Sequence, residues 1–483
     1  MDYPFGPWLP DEPDINNRGM IRARNCIPVA RGYGSLRSLQ SYSPAIDTAV
    51  RGAIAVADAE GNVYNYAGDA GKLYQLTATA ATDRSIGGGY ALGAEEYWAF
   101  DLFNNELVAV SVNEDSQKIT LGGANFADLG GSPPRANHIA NIRTFAVMGN
   151  TWDSTDGYVE NRIIWSAIND IEGWTVGTNQ SDFQDLPGNN GAVQGFGRGE
   201  YGVIIQERAI SRMTFVGPPT IFQIDELETG RGTFAPRSIA QVGHLIYYLG
   251  HDGFYVFDGS QSHPLGKNMV DKTFYTELDD AYIHRISATV DPINKLIVWA
   301  YPTGNSLGDG DPDKLLIYDY VNRRWSDAEM NLDMLVPALS TSETLESLDA
   351  ISGSIDALSH SLDSRIWAGG SPVMAAFTRD DILSFFTGPV LEGDFISAGA
   401  RLNPRGSALV DSILPYVDGT VTVDLGHQNN YSDAITWSGP MALNSIGEAD
   451  IRQDARFFRV RLRATDWTEA QGIDFMFSAT GHR

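Results

Sequence analysis

The sequence predicts an all-β protein: a β-propeller body with an additional small C-terminal β-sandwich-like domain. Three observations predict it. The 50 Gly, 22 Pro, 10 Trp, 20 Tyr and 21 Phe are scattered along 483 residues, the composition of many short strands joined by turns. An apolar run, a tight turn with Gly, Asn or Asp, and a second run ending in an aromatic return six or seven times, about every 40 residues, the length of a propeller blade. From about residue 395 the pattern becomes apolar/polar alternation, the mark of a half-buried antiparallel sandwich. No WD dipeptide or kelch signature recurs, so the propeller rests on periodicity, and stacked sandwiches would give similar strands.

Residues 1–50 hold Pro4, Pro7, Pro10, Pro13 and Pro28 with no sustained periodicity. Such a segment is extended and must dock on the body or on a neighbour. Residues 51–394 form the expected body. Its first stretch turns at Glu60-Gly61-Asn62, between Ile54/Val56 and Val63/Tyr64. The next turns at Asn104-Asn105, a pair suited to the positive φ angles of a tight hairpin. HIANIRTFAVMGN with NRIIWSAIND gives a third and GFGRGEYGVIIQERAISRMTFVG a fourth. In the clearest, Leu245, Tyr247 and Leu249 alternate, His251-Asp252-Gly253 turns the chain, and Tyr255 and Phe257 return. RISATVDPINKLIVWAYP with KLLIYDYVNRRWSDAE, then SRIWAGGSPVMAAFTRDDILSFFTG, complete the series. The triplets Ser347-Leu348-Asp349, Ser354-Ile355-Asp356 and Ser361-Leu362-Asp363 break the rhythm every seven residues; they fit a short amphipathic helix or, given their Ser, Asp and Gly353, stacked turns. In the sandwich, residues 395–483, Val421, Val423 and Leu425 alternate, as do Phe458, Val460 and Leu462.

Lys and Arg number 34 against 61 Asp and Glu, a formal charge of −27, which excludes a basic nucleic-acid reader. With 43% apolar and 20% charged residues the chain can bury a large core, so it is not disordered. Its N-terminus lacks the basic start and apolar run of a leader, and no stretch reaches the roughly 18 apolar residues of a membrane span. Synthesis in a cytosol is the resulting expectation.

Few residues suggest chemistry. The lone Cys26 reads as a small apolar residue, and no cofactor is expected. His244 and His251 lie across one hairpin without a carboxylate at zinc-site spacing. The acidic stretches 113–117 and 309–313 cluster oxygens that hard cations favour but fit no calcium loop, so solvated turns are expected. SAINDIEGWT at 166–175 resembles an Asp-box, a structural turn. No Walker loop and no Gly-x-Ser-x-Gly elbow occurs, so the reading is not an enzyme. One feature suggests a protein interface: Arg456, Arg459, Arg461 and Arg463 repel each other unless something negative lies opposite. The alternative is a solvated edge strand blunted by charge.

Several phrases in order resemble the tail nozzle, or tail-tube hub, proteins of short-tailed bacteriophages, including the packaged-DNA stabilisation proteins. They are WLPDEPDINNRGMIRARNCIPVARGYGSLRSL at 8–39, FADLGGSPPRANHIANIRTFAVMGN at 126–150 and IIWSAINDIEGWTVGTNQSDFQDLPG at 163–188. YGVIIQERAISRMTFVGPPTIFQIDELETGRGTFAP at 201–236, HDGFYVFDGSQSHPLG at 251–266 and SLDSRIWAGG at 361–370 continue the series. The resemblance implies a structural virion protein, a propeller with added β-domains assembled as a ring, commonly a homohexamer, below the head-to-tail adaptor. Tail fibres or spikes are further candidate partners, and double-stranded DNA passes through without specific binding. The alternative is a tail-associated glycan-binding or glycan-cleaving propeller, in which aromatic and acidic residues would converge on one pocket of a single copy.

Overall fold

A computed structural model describes residues 1–14, 17–304, 310–339, 354, 370, 372–404 and 406–482. The seven-residue repeat, apart from Ser354, lies outside them. The protein is all-β, with one short α-helix, Asp271–Glu277, among the described residues.

Seven four-stranded antiparallel units succeed one another along the chain, six as separate sheets and the one at 287–329 as part of a ten-stranded sheet. Six are simple meanders, at 52–83, 99–128, 135–185, 193–229, 240–264 and 287–329. The seventh is composite: three strands between 334 and 385 are joined, at the outer edge, by Gln40–Ser41 from the N-terminal segment. The opening strands of the first, second, third and fourth sheets pack on one another in turn, as do those of the fifth, sixth and seventh. The fourth meets the fifth through Val203, Ile205, Ile246 and Tyr248, and the opening strand of the seventh packs on that of the first.

Aspartates make the turns. Asp58 accepts the N–H groups of Glu60 and Asn62, Asp69 those of Gly71 and Lys72, and Asp153 those of Thr155 and Asp156. Asp258, Asp291 and Asp319 do the same for two nearby backbone N–H groups in their own turns. A short carboxylate offers the backbone an alternative to the ladder at just the point where the ladder must stop. The Asn104-Asn105 hairpin places Asn104 at φ 55°, in the left-handed region that asparagine tolerates.

The C-terminal strands fall in two sheets that share apolar residues, and the N-terminal segment is woven through both. In one, Asp2–Pro4 and Tyr33–Ser35 pair with Glu469–His482, which in turn pairs with Gly406–Val417. The other is an extension of the sixth sheet. There Met20–Arg24 lies between Arg324–Glu329, which it touches in parallel at Asp327, and Gly393–Ser397; Phe457–Thr465 and Thr420–Gln428 come next in order. Body and sandwich therefore share one hydrogen-bonded sheet. They also share one apolar core, in which Phe254, Trp299 and Trp325 of the body are continuous with Phe5, Trp8, Phe395 and Trp467. Phe254 sits with its ring centroid 4.8 Å from those of Phe274 and Trp299 and 5.5 Å from Trp325. Cys26 is buried in this core, where loss of solvent raises its thiol pKa.

Arg324 fastens the N-terminal segment. Its guanidinium donates to the carbonyls of Gly6 at 2.7 Å, Val29 at 3.0 Å and Phe5 at 3.2 Å, and lies over the ring of Tyr33. Replacing Arg324 by Ala orphans these carbonyls, so the variant should lose about 2 kcal/mol in denaturant unfolding and be clipped sooner within residues 1–35 in limited proteolysis.

The short helix is capped from a distance. Asp11 accepts the N–H groups of Lys272 and Thr273, each at 2.8 Å. Beside it the Asp271 carboxyl is wedged against Gly253 and Gly266, where a Cβ would meet its oxygens at 2.3 and 2.0 Å. Burial, with Asp11 and Asp252 adding repulsion, pushes Asp271 up to about 7. Folded Asp271 thus keeps a proton that the unfolded chain releases, between the ordinary carboxyl value near 4 and about 7. Its contribution to stability falls as pH rises through that window. Asp271→Asn, which keeps an acceptor for the Phe254 N–H, should be more stable than the parent at pH 8 by about 1 kcal/mol after allowance for partial exposure, with the difference vanishing towards pH 4. Melting temperatures of both proteins across that range check it.

Candidate functional site

The arginine strand is internal. Phe457–Thr465 lies between Gly393–Ser397 and Thr420–Gln428, so the reading of a charged, solvated edge is overturned. Phe458, Val460 and Leu462 point into the core, and the arginines alternate onto the other face. Their counter-charges come from the same chain. Arg461 grips Asp394 with two bonds of 3.0 and 2.8 Å, Arg459 pairs with Asp14, and Arg463 reaches Glu392 at 4.0 Å. Arg22 shares Asp394 at 3.0 Å. The hydrogen bonds from Arg461 to Asp394 raise the Arg461 pKa. Arg456 departs from the sequence pattern: it sits at the bend before the strand, exposed, and no ion pair to it exists among the described residues. The repulsion that asked for a partner protein is met inside the chain at three of the four positions.

The other sequence candidates occupy structural places. His251 Nε2 lies 3.1 Å from the Glu207 carbonyl with its ring on Phe234, and His244 is exposed in the turn. In 113–117, Asp115 pairs with Arg135 and Glu114 accepts the Ala91 N–H. In 309–313, of which 309 is outside the described residues, Asp311 pairs with Arg285 and Asp313 accepts from Thr303. No group of three or more His, Cys, Asp or Glu that could hold a metal ion occurs among the described residues. The 166–175 stretch is a turn in which Asp170 accepts the Glu172 N–H and buried Trp174 donates to the Ile171 carbonyl.

A second charged cluster was not legible in the sequence. Arg51, Arg237, Arg285 and Asp333 each lie at or just before the opening strand of a different sheet, the first, fifth, sixth and seventh. Arg285 donates to Asp311 at 2.7 Å and Asp333 at 2.9 Å, and Asp333 accepts the Val50 N–H at 3.0 Å. Arg237 donates to the His284 carbonyl, touches Met334 Sδ at 3.1 Å and lies 5.7 Å from the ring of Tyr97, which packs on His138. Burial, then the nearby Arg285 and Arg51, pushes Arg237 down to about 10. Burial pushes His138 down to about 4, against a weak opposing hydrogen bond, so the ring is neutral near pH 7. Burial also raises Asp333 to about 6, partly offset by Arg285. The available signal was positional: Arg51, Arg237 and Arg285 all stand within two residues of an apolar opening run. Among the described residues its one ion pair between sheets, Arg285 with Asp333, joins the sixth to the seventh, while Arg237 and Arg51 are held by the His284 and Ala94 carbonyls.

No family model matches the chain, and no curated protein matches it. Among solved structures, the computationally designed Ika8 protein is similar at 8% sequence identity, over 75% of this chain and 99% of its own, with a TM-score of 0.36.

Proposed function

We propose that the chain is a structural virion protein that forms the tail nozzle ring of a short-tailed phage, the distal conduit and gate for genome retention and ejection. The observation that carries this reading is the ordered series of resembling phrases between residues 8 and 370. Its N-terminal phrase, 8–39, contains buried Trp8, Met20, Ala23, Cys26 and Tyr33 and the strand shared by body and sandwich, which is a framework use and not a chemical one. The body is read as a seven-bladed propeller. Seven consecutive four-stranded units, the contact of the seventh with the first, and completion of the seventh by Gln40–Ser41 support this.

The homo-oligomer is a hexamer seated on the adaptor ring, with tail fibres or spikes as further neighbours. Six times −27 is a formal −162 on such a ring. On the propeller reading Arg51, Arg237 and Arg285 stand near the inner, opening strands of the blades, and the passage for DNA lies between copies on surfaces that carry part of the excess acid. Carboxylates lining it repel phosphates at close range and are screened beyond roughly 8–10 Å, which gives a sliding duplex no points of adhesion. Light scattering and class averages of the purified protein mixed with its adaptor should give a six-fold ring with an open lumen. A particle that stays monomeric alone and with the adaptor would sink the reading.

A further inference from the structure

The sandwich carries a hollow on its arginine face. Ala400 pairs with Phe458, which places Gly399 opposite Arg459 and Arg401 opposite Phe457. On the other side Gly426 pairs with Arg459, and Gln428 with Phe457. Two rows result on one face: Gly399, Arg459 and Gly426, then Arg401, Phe457 and Gln428. Glycines flank Arg459 on both sides: Ile435 and Trp437 cover Gly426, while on the Gly399 side the floor is open, with Arg459 Nε 3.9 Å from where a Cβ would stand. The cavity above has a volume of about 570 Å³, in the range of small-molecule sites. Tyr431 and Ile435 wall it, and Asp14 holds Arg459 from the N-terminal segment.

Its polar groups are left open. The Arg401 guanidinium and the Gln428 amide have no hydrogen-bond or ion-pair partner among the described residues. Arg459 is neutralised by Asp14, so Arg401 supplies one uncompensated positive charge. The aromatic geometry restricts the ligand further. The Tyr431 and Phe457 rings meet at 74°, a corner and not a parallel slot, and Arg401 lies over Phe457 at 5.9 Å. A flat base has nothing to slide between. A puckered ring with one apolar face can lie on Tyr431, which is 61% exposed, and turn its hydroxyls to Gln428.

We propose that this hollow binds a saccharide carrying one carboxylate, the sugar ring on Tyr431 and the carboxylate on Arg401. Guanidinium and carboxylate match in charge and in two-pronged geometry. The site lies in the sandwich and is independent of the conduit reading, which stands or falls on ring assembly.

The test is calorimetric titration of the full-length protein with trigalacturonate, N-acetylneuraminate, a neutral glucose trimer and adenosine monophosphate. At least one acidic sugar should bind saturably, with the neutral trimer weaker by about tenfold or more. Arg401→Ala and Tyr431→Ala should each weaken that binding by a similar factor, and Gly399→Leu, which fills the floor, should abolish it. All three positions are at the surface, and unchanged melting curves establish that the variants are folded. Absence of saturable binding to both acidic sugars overturns the proposal. So does equal binding of the neutral trimer, preference for the nucleotide, or binding that survives all three substitutions.

Discussion

Backbone pairing by the strand Met20–Arg24 is the constraint on which the rest of the structure depends. It borders the sixth sheet of the body on one side and the sandwich strand Gly393–Ser397 on the other. Without it the two would meet only through side chains. Because its partners lie some 300 to 380 residues away in sequence, the pairing closes very long loops, and the slow growth of closure entropy with length makes that tolerable. Contacts made by the neighbouring residues of the segment offset the cost. Phe5, Trp8, Cys26 and Tyr33 enter the shared core, Arg324 binds the segment's carbonyls, and Gln40–Ser41 completes the seventh sheet.

Charge is likewise tied to the framework. A chain with so many acids could be expected to expose them, yet many are committed to local tasks. Asp58, Asp69, Asp153, Asp258, Asp291 and Asp319 hold turns, while Asp394 and Asp14 neutralise the arginine strand. Asp311 and Asp333 balance Arg285 where the opening strands converge. Pairing of buried or half-buried charge limits the desolvation penalty and fixes geometry more than it adds net stability. Arg401 is left without an ion pair among the described residues, beside two aromatic rings and the open side of Gly399.

Period-two alternation and turn chemistry were legible in the sequence because both are local. Asn104-Asn105, Glu60-Gly61-Asn62 and His251-Asp252-Gly253 turn where their residues say they should, and Phe458, Val460 and Leu462 are buried as their alternation requires. The strand that carries the arginines was legible, but its place in the sheet was not. Alternation specifies which side chains share a face and is silent on whether a strand has one neighbour or two, so an internal strand passed for an edge.

Composition and periodicity by themselves determined an all-β chain of repeated meanders with a differently patterned C-terminus, since propensity and spacing act over a few residues. Only the tertiary structure decided where the proline-rich first forty residues go. Their strands are too short and irregular to announce themselves, and they take their form from the sheet edges that receive them. It also decided which charges meet. Arg459 with Asp14, and Arg285 with Asp333, are joined by chain topology across tens to hundreds of residues, a relation that no window of sequence contains.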